Sequence, residues 1–187
     1  MREPDWSSCT EVQMWCWVAV HLARCGIDCT LVGGAVVAIY SEGIYKSGDL
    51  DIVIENFPLP SQQRLDGVFK EIGFLRKGML YHHPQCGHLA IQTLPGPVHV
   101  SKDYRITAEE VNMMNVQVKM LSPTDIVKDR LASCLYFGAM ECLDQAELVC
   151  RAQTIDWQSV SEWAKAESAN MPAMIARLRD RLTTPRS

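Results

Sequence analysis

Leu31-Val-Gly-Gly-Ala35, followed shortly by Lys46-Ser-Gly-Asp-Leu-Asp-Ile-Val53, most narrows what this chain can fold into. Asp28 to Val32 reads as a short strand, Gly33-Gly34 as a tight turn, Ala35 to Tyr40 as a brief helix, and Leu50 to Ile54 as a strand rich in β-branched residues. Two glycines at a strand-to-helix junction let backbone N–H groups approach an anion, and the helix N-terminus behind them adds a favourable dipole. Neither Gly-x-Gly-x-x-Gly nor Gly-x-x-x-x-Gly-Lys occurs, which excludes the dinucleotide-binding and P-loop readings. Asp49 and Asp51 stand two apart on the second strand, so both carboxylates project from one side. Like charges that close are costly, and a divalent cation relieves them. Hard oxygen donors with room for phosphates suit Mg²⁺, with Mn²⁺ as its substitute. Gly33-Gly34 upstream and Ser47 alongside argue against an incidental pair of acids on a solvated strand end.

Around this segment, Val12, Trp15, Cys16, Ala19, Leu22 and Ala23 recur at helical spacing between Ser8 and Cys25, with Gly26 as the stop. Leu65, Val68, Phe69 and Ile72 line a second helix that ends at Gly73. Strands are expected near Leu75 to Tyr81 and His88 to Leu94, then a Pro95-Gly96-Pro97 turn, then a last strand through Val116, Val118 and Met120. Ser122-Pro123-Thr124-Asp125 supplies an N-cap, a proline at the first helical position and an acid at the third. Helical periodicity then continues to Leu182, with breaks near Gly138, at Ile155-Asp156 and at Asn170 to Pro172. The division is therefore residues 1–121 as a mixed α/β part and 122–187 as a helical part.

With 187 residues, two large domains are excluded, and a net charge of -4 supplies no global field toward nucleic acid or anionic lipid. Met1-Arg-Glu-Pro-Asp5 puts acids where a secretory signal wants bases, and Met14 to Ala23 is too short to span a bilayer, so a cytoplasmic chain with no membrane partner is expected. The eight cysteines contain no Cys-x-x-Cys pair and read as reduced, with Cys134, Cys142 and Cys150 as small apolar residues on helices. His82-His83-Pro84-Gln85-Cys86-Gly87-His88 gathers three imidazoles and a thiol, but zinc sites bring ligand pairs from two segments, so a polar turn is the expectation and zinc its competitor. Trp15, Trp17, Trp157 and Trp163 read as helix-packing residues, and Arg177, Arg179 and Arg181 as a solvated helix end.

A hydrophobic strand, Gly-Gly, a short helix and Asp-x-Asp on the next strand, in that order, resemble the DNA polymerase β-like nucleotidyltransferase superfamily. Leu94-Pro-Gly-Pro97, Leu121-Ser-Pro-Thr-Asp-Ile-Val-Lys-Asp-Arg-Leu131, Gln145-Ala146 and Ser161-Glu-Trp163 are similar to segments of uncharacterised bacterial nucleotidyltransferases related to the abortive-infection toxin type. The likeness runs from about Val32 to Trp163. It implies an α+β fold: a small mixed-sheet nucleotidyltransferase core with flanking helices, then a C-terminal helical bundle. It also implies transfer of a nucleoside monophosphate from an NTP to an acceptor hydroxyl on RNA, protein or a small molecule, and, by analogy alone, a toxin role. Gly33, Gly34 and Ser47 would hold the triphosphate, Asp49 and Asp51 would bind two Mg²⁺ or Mn²⁺ ions, and Lys128, oriented by Asp129, would reach the leaving phosphates. A third carboxylate is expected on a later strand, where this chain carries Gln92. An amide oxygen ligates a cation weakly and cannot act as a base. Either activity is reduced, or another acid such as Asp103 serves, or the chain is a nucleotide-binding or interaction module without turnover. The apolar content of the helical part would permit a homodimer.

Overall fold

The computed structural model describes residues 1–56, 58–101 and 104–184, the side chains of Tyr104 and Arg105 excepted. Thr10 starts the first helix, α1 (Glu11–Arg24), by a reciprocal cap: its hydroxyl accepts from the Gln13 N–H and the Gln13 side chain accepts from the Thr10 N–H. This cap places the start at Thr10 rather than the expected Ser8. The chain then runs through β1 (Cys29–Val32), α2 (Gly33–Tyr40), β2 (Asp49–Ile54) and α3 (Gln62–Glu71). Next come β3 (Leu75–Lys77), β4 (Leu80–His82), β5 (Ala90–Pro95), β6 (His99–Val100), β7 (Tyr104–Arg105), β8 (Glu109–Met113) and β9 (Val116–Met120). Four helices complete it: α4 (Pro123–Phe137), α5 (Glu141–Ala152), α6 (Trp157–Glu167) and α7 (Met171–Thr183).

Seven strands form one mixed sheet in the order β3-β4-β5-β2-β1-β9-β8, and β6 with β7 makes a small separate hairpin. The aspartate-bearing β2 is the middle strand, antiparallel to β1 and parallel to β5. Leu31, Leu50, Ile52 and Ile91 of the central strands are fully buried, in one apolar cluster with Trp15 and Leu22 of α1 and with Ile126, Leu131, Leu143 and Leu178 of the C-terminal helices. The architecture is the expected α+β one, a mixed sheet flanked by helices and followed by a bundle, and one core runs through both parts.

Two expectations about strands are corrected. Leu75 to Tyr81 is not one strand but the hairpin β3-β4, because Gly78, at φ +64°, turns the chain back. The strands β6, β7 and β8 were not foreseen; β8 is an edge strand whose Glu109, Glu110 and Asn112 face solvent, so little of its sequence reads as apolar. The helical half follows its signals closely. The Ser122 hydroxyl accepts from the Asp125 N–H at 3.0 Å, Gly138 closes α4 at φ +66°, and the Asp156 carboxylate accepts from the Ser159 N–H at 2.9 Å. Among the described residues no helix is long and apolar enough to cross a membrane.

Because Leu31 is sealed between β2 and β9 at the centre of the shared core, Leu31→Ala should lower unfolding stability by about 2–5 kcal/mol in a urea titration. Helical and sheet signals should be lost in a single transition.

Candidate active site

The sheet passes straight into α2 at Val32, and Gly33 makes the turn with φ +70°, a conformation that a side chain strains. A Cβ at Gly33 would collide with the Asp51 carboxylate, at 3.2 Å from its carboxyl carbon. One at Gly34 would lie 3.0 Å from Ser47 Oγ and 3.4 Å from the Tyr45 hydroxyl oxygen. Val32 supplies no side-chain cap to the first turn of α2, whose glycines lie against the Asp51, Ser47 and Tyr45 side chains. The glycines therefore open the helix N-terminus directly onto β2, although both lie within the helix rather than in a turn before it.

Register fixes the remaining members. Asp51 sits opposite Val32 on one side and Gln92 on the other, and Asp49 sits opposite Ala90. Residues at one register level of neighbouring strands point to the same face, so Asp49, Asp51 and Gln92 share a surface. The structure thus brings Gly33, Gly34, Ser47, Asp49, Asp51 and Gln92 together. Burial, then the neighbouring Asp49 charge, pushes the Asp51 carboxyl up to about 6, and Arg130 opposes the rise. Two carboxylates and an amide oxygen, with one acid held half-buried beside another, are a hard donor set that a divalent cation fits.

Ser47 is already engaged: its N–H donates to Glu11 Oε1 at 3.1 Å and its hydroxyl to the Asp49 carbonyl at 2.8 Å. Buried Glu11, from the first turn of α1, therefore braces the loop that enters β2. Lys128 is not beside the carboxylates. Its ammonium is buried at 1% exposure and donates to Asp125 Oδ1 and Ser159 Oγ, both at 2.9 Å, on the wall of a separate polar cavity between the starts of α4 and α6. The cation whose charge acts on Asp51 is Arg130, two residues further along α4. Its guanidinium is paired with Asp129 and donates to Gln145 Oε1 at 3.2 Å. Sequence reasoning missed Glu11, Tyr45 and Arg130; the i, i+3 spacing of Asp125 and Lys128 was the available sign that this lysine has a partner on its own helix. Asp103 lies outside the described residues.

The histidine-rich segment is used for packing. His83 stacks on Trp6 with ring centroids 4.1 Å apart and packs against Gly73, and His88 Nε2 donates to the Cys9 carbonyl at 2.8 Å. Among the described residues no group of three or more His, Cys, Asp or Glu side chains is placed to hold a metal ion.

No family model and no curated protein sequence matches this chain. Solved structures do. A crystal structure of an antigenic nucleotidyltransferase-like protein from Paracoccidioides brasiliensis superposes with a TM-score of 0.67 at 15% identity, over 93% of this chain and 89% of that one. ANT(2")-Ia in complex with adenylyl-2"-tobramycin superposes at 0.54 with 12% identity, over 91% and 98% of the two chains. The solution structure of the antibiotic-resistance factor ANT(2'')-Ia gives 0.52 and 12%, over 92% and 93%. The chain has the nucleotidyltransferase fold.

Because burial and the Asp49 charge push the native Asp51 carboxyl up to about 6, against 3.8 for an ordinary one, the native state keeps a proton that the unfolded chain has already lost. The stability contributed by that proton is complete below the lower value and is lost as pH rises through the higher one. The Asp51 contribution in the metal-free protein should therefore fall between about pH 4 and pH 7, against an opposite slope from His83, whose burial lowers its pKa. Asp51→Asn should flatten that part of the melting profile; a slope unchanged in the variant would assign it to another group.

Proposed function

We propose that this chain is a nucleotidyltransferase that moves a nucleoside monophosphate from an NTP to an acceptor hydroxyl. The observation that carries the reading is the approach of Gly33 to Asp51, which sets an open helix N-terminus against paired carboxylates. The first-turn N–H groups of α2 suit phosphate oxygens, and Asp49 and Asp51, with Gln92 beside them, would hold the divalent cation. A cation bound there, Mg²⁺ or Mn²⁺, supplies charge neutralisation along the triphosphate and polarises the phosphorus under attack. Arg130, whose charge acts on Asp51, would reach the leaving phosphates, the role that the sequence assigned to Lys128. Lys128 instead ties α4 to α6 through Ser159. Ser47 keeps the loop in place, so Gly34 meets its hydroxyl without obstruction.

Gln92 favours a second reading. In register with Asp51 it offers a weak oxygen ligand and no base, which fits a nucleotide-binding module of the same fold that turns over slowly or not at all. The acceptor on either reading is open to RNA, a protein hydroxyl or a small molecule; ANT(2")-Ia, solved with an adenylylated tobramycin, makes an antibiotic hydroxyl the first class to try. A homodimer, a cytoplasmic location and a toxin role complete the proposal.

Incubation with each α-labelled NTP and Mn²⁺ or Mg²⁺ should label an acceptor in the wild-type protein, and Asp49→Asn or Asp51→Asn should abolish the label. Gln92→Glu restores a third carboxylate and should raise both metal affinity and transfer. Nucleotide-dependent thermal stabilisation that requires Asp51, with no transfer under any metal, would establish the second reading instead. Gly33→Ala should displace the Asp51 carboxylate and weaken Mn²⁺ binding at least tenfold by calorimetry, whereas unchanged affinity would remove the glycine from the site.

A further inference from the structure

Tyr45 lies in the loop between α2 and β2 and reaches from one end of α2 to the other. Its backbone is anchored where the helix stops, the N–H donating to Ser41 Oγ at 3.2 Å. Its half-buried ring packs against the core and brings the polar tip back to the first turn. A Cβ at Gly34 would meet the Tyr45 hydroxyl oxygen at 3.4 Å and ring carbon Cε1 at 3.6 Å. Gly33, one residue earlier, stands in the same relation to Asp51, whose carboxyl carbon would lie 3.2 Å from a Cβ there. The elbow therefore presents an acid at its first glycine and a phenol hydroxyl at its second.

Two hydroxyls border Gly34, and only one of them has a proton to give. Ser47 Oγ spends its single O–H on the Asp49 carbonyl at 2.8 Å and can otherwise only accept. An ionised phosphate oxygen also only accepts, so the Ser47 hydroxyl offers it nothing. The Tyr45 hydroxyl has no hydrogen-bond partner among the described residues. Burial raises it above its ordinary value of 10.0, which keeps the proton on and the group a donor. Lys46, between the two, turns elsewhere: its ammonium lies 3.2 Å from a Cβ at Gly43.

Resting on the transferase reading above, we propose that Tyr45 is a nucleotide-binding residue whose hydroxyl donates to the phosphate tail of the NTP, on the pyrophosphate side of the bond that breaks. Transfer of a nucleoside monophosphate requires the α-phosphorus beside the acids, next to Gly33. The β- and γ-phosphates then lie toward the first-turn N–H groups of α2, and the next residue along that turn is Gly34, with Tyr45 beside it. A charge-assisted O–H bond there adds affinity for a triphosphate and none for a monophosphate. The donor that the sequence placed at Ser47 is supplied two residues earlier.

Tyr45→Phe keeps the ring and removes the O–H. Calorimetry on the full chain compares α,β-methylene-ATP and AMP, each with Mn²⁺, and Mn²⁺ alone. The substitution should weaken the ATP analogue about tenfold, the worth of one hydrogen bond to a charged group, and leave AMP and Mn²⁺ affinities unchanged. Unaltered analogue affinity would overturn the proposal. An equal loss for AMP would overturn it too, by putting the hydroxyl on the α-phosphate or the nucleoside, as would a loss for Mn²⁺ alone, which would make Tyr45 a prop for the carboxylates. Failure of the analogue to bind the wild type would instead defeat the transferase reading beneath.

Discussion

The closeness of residue 33 to the carboxylate of residue 51 is the constraint on which the site depends. A side-chain atom and the Asp51 carboxyl group cannot share that space, and the left-handed turn at Gly33 disfavours any residue but glycine. Without a side chain there, β1 can turn into α2 at the level of Asp51, and the helix dipole is brought to bear on whatever the acids hold. Glu11 secures the other border by holding the Ser47 N–H, so a residue of the first helix controls how the chain enters the acidic strand.

Charge arithmetic distinguishes this site from one with three acids. Asp49 and Asp51 repel each other in a half-buried setting, and Gln92 adds an oxygen without adding a charge. The metal-free protein is thereby spared the two further repulsions that a third acid would add, and the attraction for a cation falls with them. Arg130 compensates further, yet its guanidinium is shared with Asp129 and Gln145, so only part of its field reaches Asp51.

What could be read in the sequence was what local chemistry dictates. The Asp-x-Asp strand, the Ser122 cap and the Gly138 stop each follow from residue types at particular backbone positions and are found where expected, whereas the glycine pair expected as a turn forms the first residues of α2. The resemblance puts Gln92 where a third carboxylate is expected, and the β2-β5 register sets it opposite Asp51. What escaped depends on contacts between distant segments. Lys128 and Arg130 are both basic and two residues apart, and only the packing of α4 against α6 and α5 shows that Lys128 is anchored to Ser159 and Arg130 to Asp129 and Gln145. The β3-β4 hairpin hid behind Gly78 between two short strands, and β8 behind its solvent-facing acids.

The middle position of β2 bears on how long the site stays intact. Three strands flank it on either side, and sheets open from their margins inward. Peeling of β3 or β8 leaves the backbone bonds of β2 to β1 and β5 untouched, so brief local excursions at the rim do not separate Asp51 from Gly33 or Gln92. The β2 amides should therefore be among the slowest in the molecule to exchange with solvent, so the site is as durable as the centre of the sheet.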